Sequence, residues 1–201
     1  MKAWCPTRLE ILILVVGLGL LGSAGCDTGA APVVAPKIAS DAPRKAIELY
    51  DADKNGYLDA QELEKSPSLR VVFAGSSKVT EQDIAALLAK WKEAKVGREL
   101  FDIHLMHNHR PLADATVTLV PESFVGSEIP TAVGKTDRTG RATPSVPAYA
   151  AERVPGVSPG FYRIEITKDG ENIPAKYNTA TILGGVVPEA ETAKWDFDLE
   201  Y

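Results

Sequence analysis

Six residues inside one twelve-residue stretch have the types and spacing to hold a hard cation. Residues 51–62 read Asp51-Ala52-Asp53-Lys54-Asn55-Gly56-Tyr57-Leu58-Asp59-Ala60-Gln61-Glu62, which satisfies D-x-[DN]-x-[DN]-G-x5-E at every position. Calcium takes about six to eight oxygen ligands at roughly 2.3–2.6 Å. Asp51, Asp53 and Asn55 offer side-chain oxygens on alternate positions, and the carbonyl of Tyr57 offers another. Asp59 is expected to reach the ion, usually through water, and Glu62 to close the shell with both carboxylate oxygens. Gly56 falls where such a loop turns sharply and a side chain would be costly.

The stretch resembles the calcium loop of an EF-hand, with Leu58 at the apolar position that pairs with a neighbouring loop. EF-hands come in pairs, and Val79-Thr80-Glu81-Gln82-Asp83 resembles the second half of a partner. Counting back from Asp83 starts that partner at Val72, with Ala74 and Ser76 at the next ligand positions, and none of these ligates calcium. The reading is a degenerate loop at about 72–83 that keeps a Leu58–Val79 pairing; a plain helix behind an N-cap is the alternative. One intact loop implies modest affinity, roughly 10⁻⁵ to 10⁻³ M as in extracellular modules. Such a site stays filled outside the cytoplasm, making calcium structural; a regulatory switch is the other reading.

Other chemistry is thin. His104, His107 and His109 lie close to Asp102 and could hold zinc or copper. Alternation instead sends His104 to an outer face and puts His107 and His109 in the following turn, as solvated side chains. There is no G-x-S-x-G, H-E-x-x-H or Gly-rich phosphate loop, so the expectation is a protein that is not an enzyme. Net charge is −5, from 22 Lys and Arg against 27 Asp and Glu. An acidic chain of this kind lacks the clustered cations that nucleic-acid binding needs.

The elements that must position the loop can be read from pattern. Asp41 with Pro43 starts a helix in which Ile47 and Tyr50 share a face. Glu62 opens an exit helix that Ser66-Pro67 ends after little more than a turn. Thr80-x-x-Asp83 resembles a capping box, opening a helix to about Val96 with Ile84, Leu87, Leu88 and Trp91 as its apolar stripe and Gly97 as its C-cap. From Arg98 the period changes to two. Phe101, Ile103 and Leu105 alternate with Asp102, His104 and Met106, and Ala115, Val117 and Leu119 alternate with Thr116, Thr118 and Val120. Phe161, Arg163, Glu165 and Thr167 alternate with Tyr162, Ile164 and Ile166. Further strands are expected at Ala132–Thr136, Arg141–Val146, Thr179–Val187 and Ala193–Glu200, with Trp195 and Phe197 on one face. That makes seven short strands and an all-β sandwich. Arg110-Pro111-Leu112-Ala113-Asp114-Ala115, Gly134-Lys135-Thr136-Asp137-Arg138-Thr139-Gly140 and Pro159-Gly160-Phe161-Tyr162 look like the turns of the carboxypeptidase regulatory-like (transthyretin-like) sandwich. That resemblance implies a fold and no chemistry. The chain ends Asp-Leu-Glu-Tyr201, without the Tyr-Arg-Gly-Ser ending of the transthyretin-like hydrolases.

At the N-terminus, Lys2 and Arg8 precede an apolar run, Ile11–Gly22, too short to span a bilayer as a helix and suited to a secretory signal. Ser23-Ala24-Gly25-Cys26 resembles a bacterial lipobox, with Ser23 where Leu is commonest. The resemblance implies cleavage before Cys26 and lipidation of that cysteine, leaving 20 basic against 26 acidic side chains. Two or more acyl chains anchor stably.

The expected organisation is therefore α+β in two modules, a small helical EF-hand module followed by an all-β seven-stranded Ig/transthyretin-like sandwich. Residues 1–25 would be the signal peptide, 26–40 the lipidated cysteine and flexible linker, 41–97 the helical module and 98–201 the sandwich. The expected function is that of a lipid-anchored, calcium-binding protein of the bacterial envelope, on the periplasmic or cell-surface face. The sandwich would serve as an interaction surface for an envelope protein or a glycan. A calcium-dependent protein-docking module and a carbohydrate-binding protein remain as alternatives, the latter resting on Phe124, Tyr149 and Tyr177 as loop aromatics.

Overall fold

Helices come first in the chain and strands later, as the change of period requires. The computed structural model describes residues 37–148, 155–188 and 195–201, all within one unit, Val34–Tyr201. The segment read from the sequence as a signal, together with Cys26 and Tyr149, lies outside the described residues. Among those described, no helix is long and apolar enough to cross a membrane. Over the described residues the fold is mixed α and β, with four α-helices described and largely antiparallel sheets.

Helix α1 (Ala42–Tyr50) carries proline in its first turn, where a missing amide hydrogen costs nothing. Its N-cap residue, Asp41, makes no side-chain capping bond and pairs instead with Lys45 at 3.2 Å. A two-residue strand β1 (Tyr57–Leu58) and the short helix α2 (Ala60–Leu63) come next. Ser66-Pro67 ends α2 as the sequence predicts, but Pro67 also opens a further helix, α3 (Pro67–Val72). Strand β2 (Val79–Thr80) pairs antiparallel with β1, setting Leu58 opposite Val79. In α4 (Glu81–Glu93) the Thr80 side chain accepts from the Asp83 amide and Asp83 accepts from the Thr80 amide, the reciprocal box. The helix stops earlier than Val96. Lys95 takes the left-handed conformation (φ 51°), and the amides of Lys95 and Val96 return to the carbonyls of Lys92 and Trp91. That is a Schellman ending built on lysine, so Gly97 is not the cap.

Among the described residues the β part holds two four-stranded sheets, eight strands where seven are expected. One contains β3 (Ile103–His107), β4 (Arg110–Pro111), β7 (Arg141–Ala142) and β10 (Trp195–Leu199), with β10 parallel to β3. The other runs β6 (Ala132–Lys135), β5 (Thr116–Pro121), β8 (Gly160–Thr167), β9 (Gly184–Val187), all antiparallel. The unexpected β4 arises because Asn108 and His109 both take positive φ (49° and 63°), closing a two-residue hairpin off β3. The expected strands at 141–146 and 179–187 are shorter. After Tyr177 the amides of Ala180 and Ile182 turn back to Ala175 and Lys176, delaying β9. The turn at 137–140 forms as read: Thr139 N donates to Asp137 Oδ1 at 2.7 Å, and Gly140 has φ 77°.

Alternation places Val117, Leu119, Ile164 and Ile166 in the core with Ile103, Leu105 and Leu199. Phe161 breaks the pattern. It lies on the polar side of β8 by parity yet is fully buried, because helices cover that face. Its ring packs against Trp91 of α4 and Phe124, each at 5.2 Å, while Phe124 meets Tyr50 of α1 edge-on at 6.2 Å. Helix α3 lies against β9 so closely that a Cβ on Gly184 would stand 2.2 Å from the Pro67 carbonyl carbon. One hydrophobic core therefore serves helices and strands together.

Candidate metal centre

The loop at 51–62 is folded by its own side chains. Asp51 accepts from the amides of Asn55 (3.1 Å) and Gly56 (2.8 Å), pulling the chain into a tight coil. Asp53 accepts from the Asn55 amide at 3.1 Å and its side-chain nitrogen at 2.8 Å, while Asn55 Oδ1 accepts from Tyr57 N at 3.0 Å. Lys54 and Gly56 take positive φ (60° and 87°), the left-handed turn that favours glycine at the second of them. Strand β1 then locks the loop to β2, and α2 begins.

Asp59 and Glu62 form the second half of the site. Asp59 Oδ1 accepts from Gln61 N (2.8 Å) and Glu62 N (2.9 Å), capping α2. Glu62 reaches back: Oε2 accepts from Asp59 N at 3.1 Å and Oε1 from Ala52 N at 2.6 Å. Its side chain thus crosses from α2 to the first turn of the loop, and it is only 5% exposed. The carboxylates of Asp51, Asp53 and Glu62 present ligand oxygens all within 4.8 Å of one another. Beside them a cleft of about 240 Å³ is lined by Asp53, Asp59 and Glu62 with Ala52, Gln61 and Lys65.

Of the four expected carboxylate ligands, Asp51, Asp53 and Glu62 converge. Asn55 is exposed and engaged through both side-chain atoms, and Asp59 serves as a helix cap. Tyr57 is held in β1, under the Lys78 ammonium 4.2 Å from its ring centroid. Among the described residues no lysine or arginine forms an ion pair with the three converging carboxylates. Partial burial raises the Asp51 pKa, but the amides of Gly56 and Asn55 outweigh it and hold the carboxyl below its usual range. The donor set is all hard oxygen and anionic, which fits a divalent cation of the calcium or magnesium kind.

The three histidines do not converge. His104 approaches Asp196 at 3.5 Å and bonds the Thr139 carbonyl at 2.9 Å. His107 ends strand β3 rather than sitting in the turn, and stacks on the Tyr201 ring at 4.0 Å. His109, in the turn, pairs with Asp198. Each imidazole has its own partner, and the converging carboxylates are the metal-type cluster found among the described residues. Of the aromatic residues considered for carbohydrate stacking, Phe124 and Tyr177 are buried, and Tyr149 lies outside the described residues.

Sequence reasoning missed a buried carboxylate beside the site. Glu122, 2% exposed at the end of β5, accepts from Ser66 Oγ and Ser68 Oγ, each at 2.9 Å, and from the Tyr50 hydroxyl at 3.1 Å. Arg163 Nε lies 4.0 Å away. An acidic residue directly after the apolar stretch Val117-Thr118-Leu119-Val120-Pro121 was the one signal of it in the sequence. No family model, curated protein or solved structure matches the chain.

Proposed function

We propose that this chain binds one calcium ion in the loop at 51–62, in the manner of an EF-hand, and that the ion has a structural role. The observation that carries the reading is the convergence of Asp51, Asp53 and Glu62 on a loop coiled by its own amides. Three carboxylates within 4.8 Å repel one another unless a cation lies between them. Asp51 and Asp53 come from the loop's first turn and Glu62 from α2, so a bound cation joins two elements. Pairing of Leu58 with Val79 supports the further reading that 72–83 is a degenerate partner loop without an ion.

In this reading the two four-stranded sheets form a transthyretin-like sandwich that acts as an interaction surface. The protein is not an enzyme. It is exported and lipid-anchored through Cys26 to a bacterial envelope membrane, as the sequence of residues 1–26 suggests. Calorimetric titration of the purified protein with calcium tests the central claim. One site per chain, lost in Glu62→Gln, is expected. Heat signals absent from the unsubstituted protein at millimolar calcium would overturn it.

A further inference from the structure

We propose that Glu122 is a positioning residue for the cation loop, clamping both of its ends to the β sheet so that cation binding and helix–sheet packing form one equilibrium. The inference rests on the calcium reading above. Tyr50, the last residue of α1, directly precedes Asp51, and its hydroxyl donates to Glu122 Oε2 at 3.1 Å. On the far side, α2 ends at Leu63, and Ser66 and Ser68 both donate to Glu122 Oε1 at 2.9 Å. One carboxylate therefore ties the chain just before the loop to the chain just after it. Its partners lie 54 to 72 residues away in sequence, so the contact is wholly tertiary.

Two features make the clamp sensitive to spacing. Glu122 is buried, so a lost hydroxyl leaves an acceptor without water to replace it. Its two oxygens serve different ends of the loop, and all three bonds form together only when Tyr50 and Ser66 are correctly apart. That separation is what a cation bridging Asp51 and Glu62 would fix. Binding then favours the clamp, and by linkage the clamp favours binding to the same degree. The ring of Tyr50 against Phe124 and the Ala39 amide on the Val125 carbonyl (2.9 Å) carry the same contact along the segment after Glu122.

The test compares calcium affinity in full-length protein carrying Tyr50→Phe or Glu122→Gln, with Thr136→Val as a destabilised control remote from the loop. Tyr50→Phe removes one oxygen and is the safeguard should Glu122→Gln fail to fold. Both clamp variants are expected to weaken calcium binding about tenfold, within the usual range of site-to-site coupling, while Thr136→Val leaves the dissociation constant unchanged. Calcium should also slow hydrogen exchange at the Ser66 and Ser68 amides in the parent protein and much less in Tyr50→Phe. Folded clamp variants with the parent's affinity, or a control weakened equally, would overturn the proposal and leave the calcium site standing. A parent protein that binds no calcium would remove both.

Discussion

Single hydroxyls carry much of the polar order in this protein, and their removal has calculable effects. Thr136 Oγ1 is buried, accepts from Ala115 N at 2.9 Å and donates to the Leu112 carbonyl at 2.7 Å. Thr136→Val keeps the shape but strands both partners, so a loss of about 1–3 kcal/mol is expected. A lower urea midpoint with an unchanged slope would register it. Asp83 and Asp137 behave differently, because they are exposed. The Thr80 hydroxyl and then its amide hold the Asp83 carboxyl below its ordinary value of 3.8, and the Thr139 hydroxyl, then the amides of Arg141 and Thr139, do the same for Asp137. A depressed folded pKa gives stability that is present above 3.8 and lost as pH falls through the folded value. NMR titration of Thr139→Ala should show the Asp137 carboxyl moving back up toward its ordinary range. At this scale the sequence was legible where partners are local. Asp51, Asp53 and Glu62 sit within twelve positions, and Asp137 bonds two residues onward. Glu122 was not legible, because its partners come from distant helices and no spacing rule connects them.

Elements were legible where they carry a period or a cap. Helix α4 announces itself through Ile84, Leu87, Leu88 and Trp91 and through Thr80 with Asp83; Thr80→Ala should cost about 1 kcal/mol, read as a lower melting temperature. Helix α3 was hidden because Ser66-Pro67 is both a stop for α2 and a legitimate first turn for the next helix. It packs directly against β9. Gly184 leaves room for the backbone of Pro67 and Ser68, and a methyl group there would come within 2.4 Å of Ser68 N. Gly184→Ala must push α3 outward, at a cost of about 1–3 kcal/mol typical of overpacking. Because α3 carries Ser68, the same substitution should loosen the Glu122 contact and lower calcium affinity. A variant that melts earlier yet binds calcium as tightly as the parent would show that α3 is only packed, not coupled.

For the whole molecule, the aromatic chain Tyr50–Phe124–Phe161–Trp91 decides whether the helical and β parts unfold separately. Two of those rings come from helices, and Phe161 and Phe124 come from β8 and the turn after β5. Sequence alone could place a boundary near Gly97 by the change of period, but not the buried Phe161, whose parity on β8 assigns it to a solvent face. With one shared core, heating should give one transition. Trp91 reports from α4 and Trp195 from β10, so, with the third tryptophan removed by Trp4→Phe, Trp91→Phe and Trp195→Phe, monitored by fluorescence, separate the two parts. Their midpoints should coincide with each other and with far-ultraviolet circular dichroism. On the proposed calcium binding, a hundredfold excess over the dissociation constant should add about 2.7 kcal/mol, which for a domain of this size should raise the melting temperature by about 5–10 °C. The rise should be the same for both tryptophans, although Trp195 belongs to a strand outside the cation loop. A calcium shift seen by Trp91 and absent from Trp195 would mean that the helices melt on their own and that the shared core does not transmit the ion's stabilisation to the sheets.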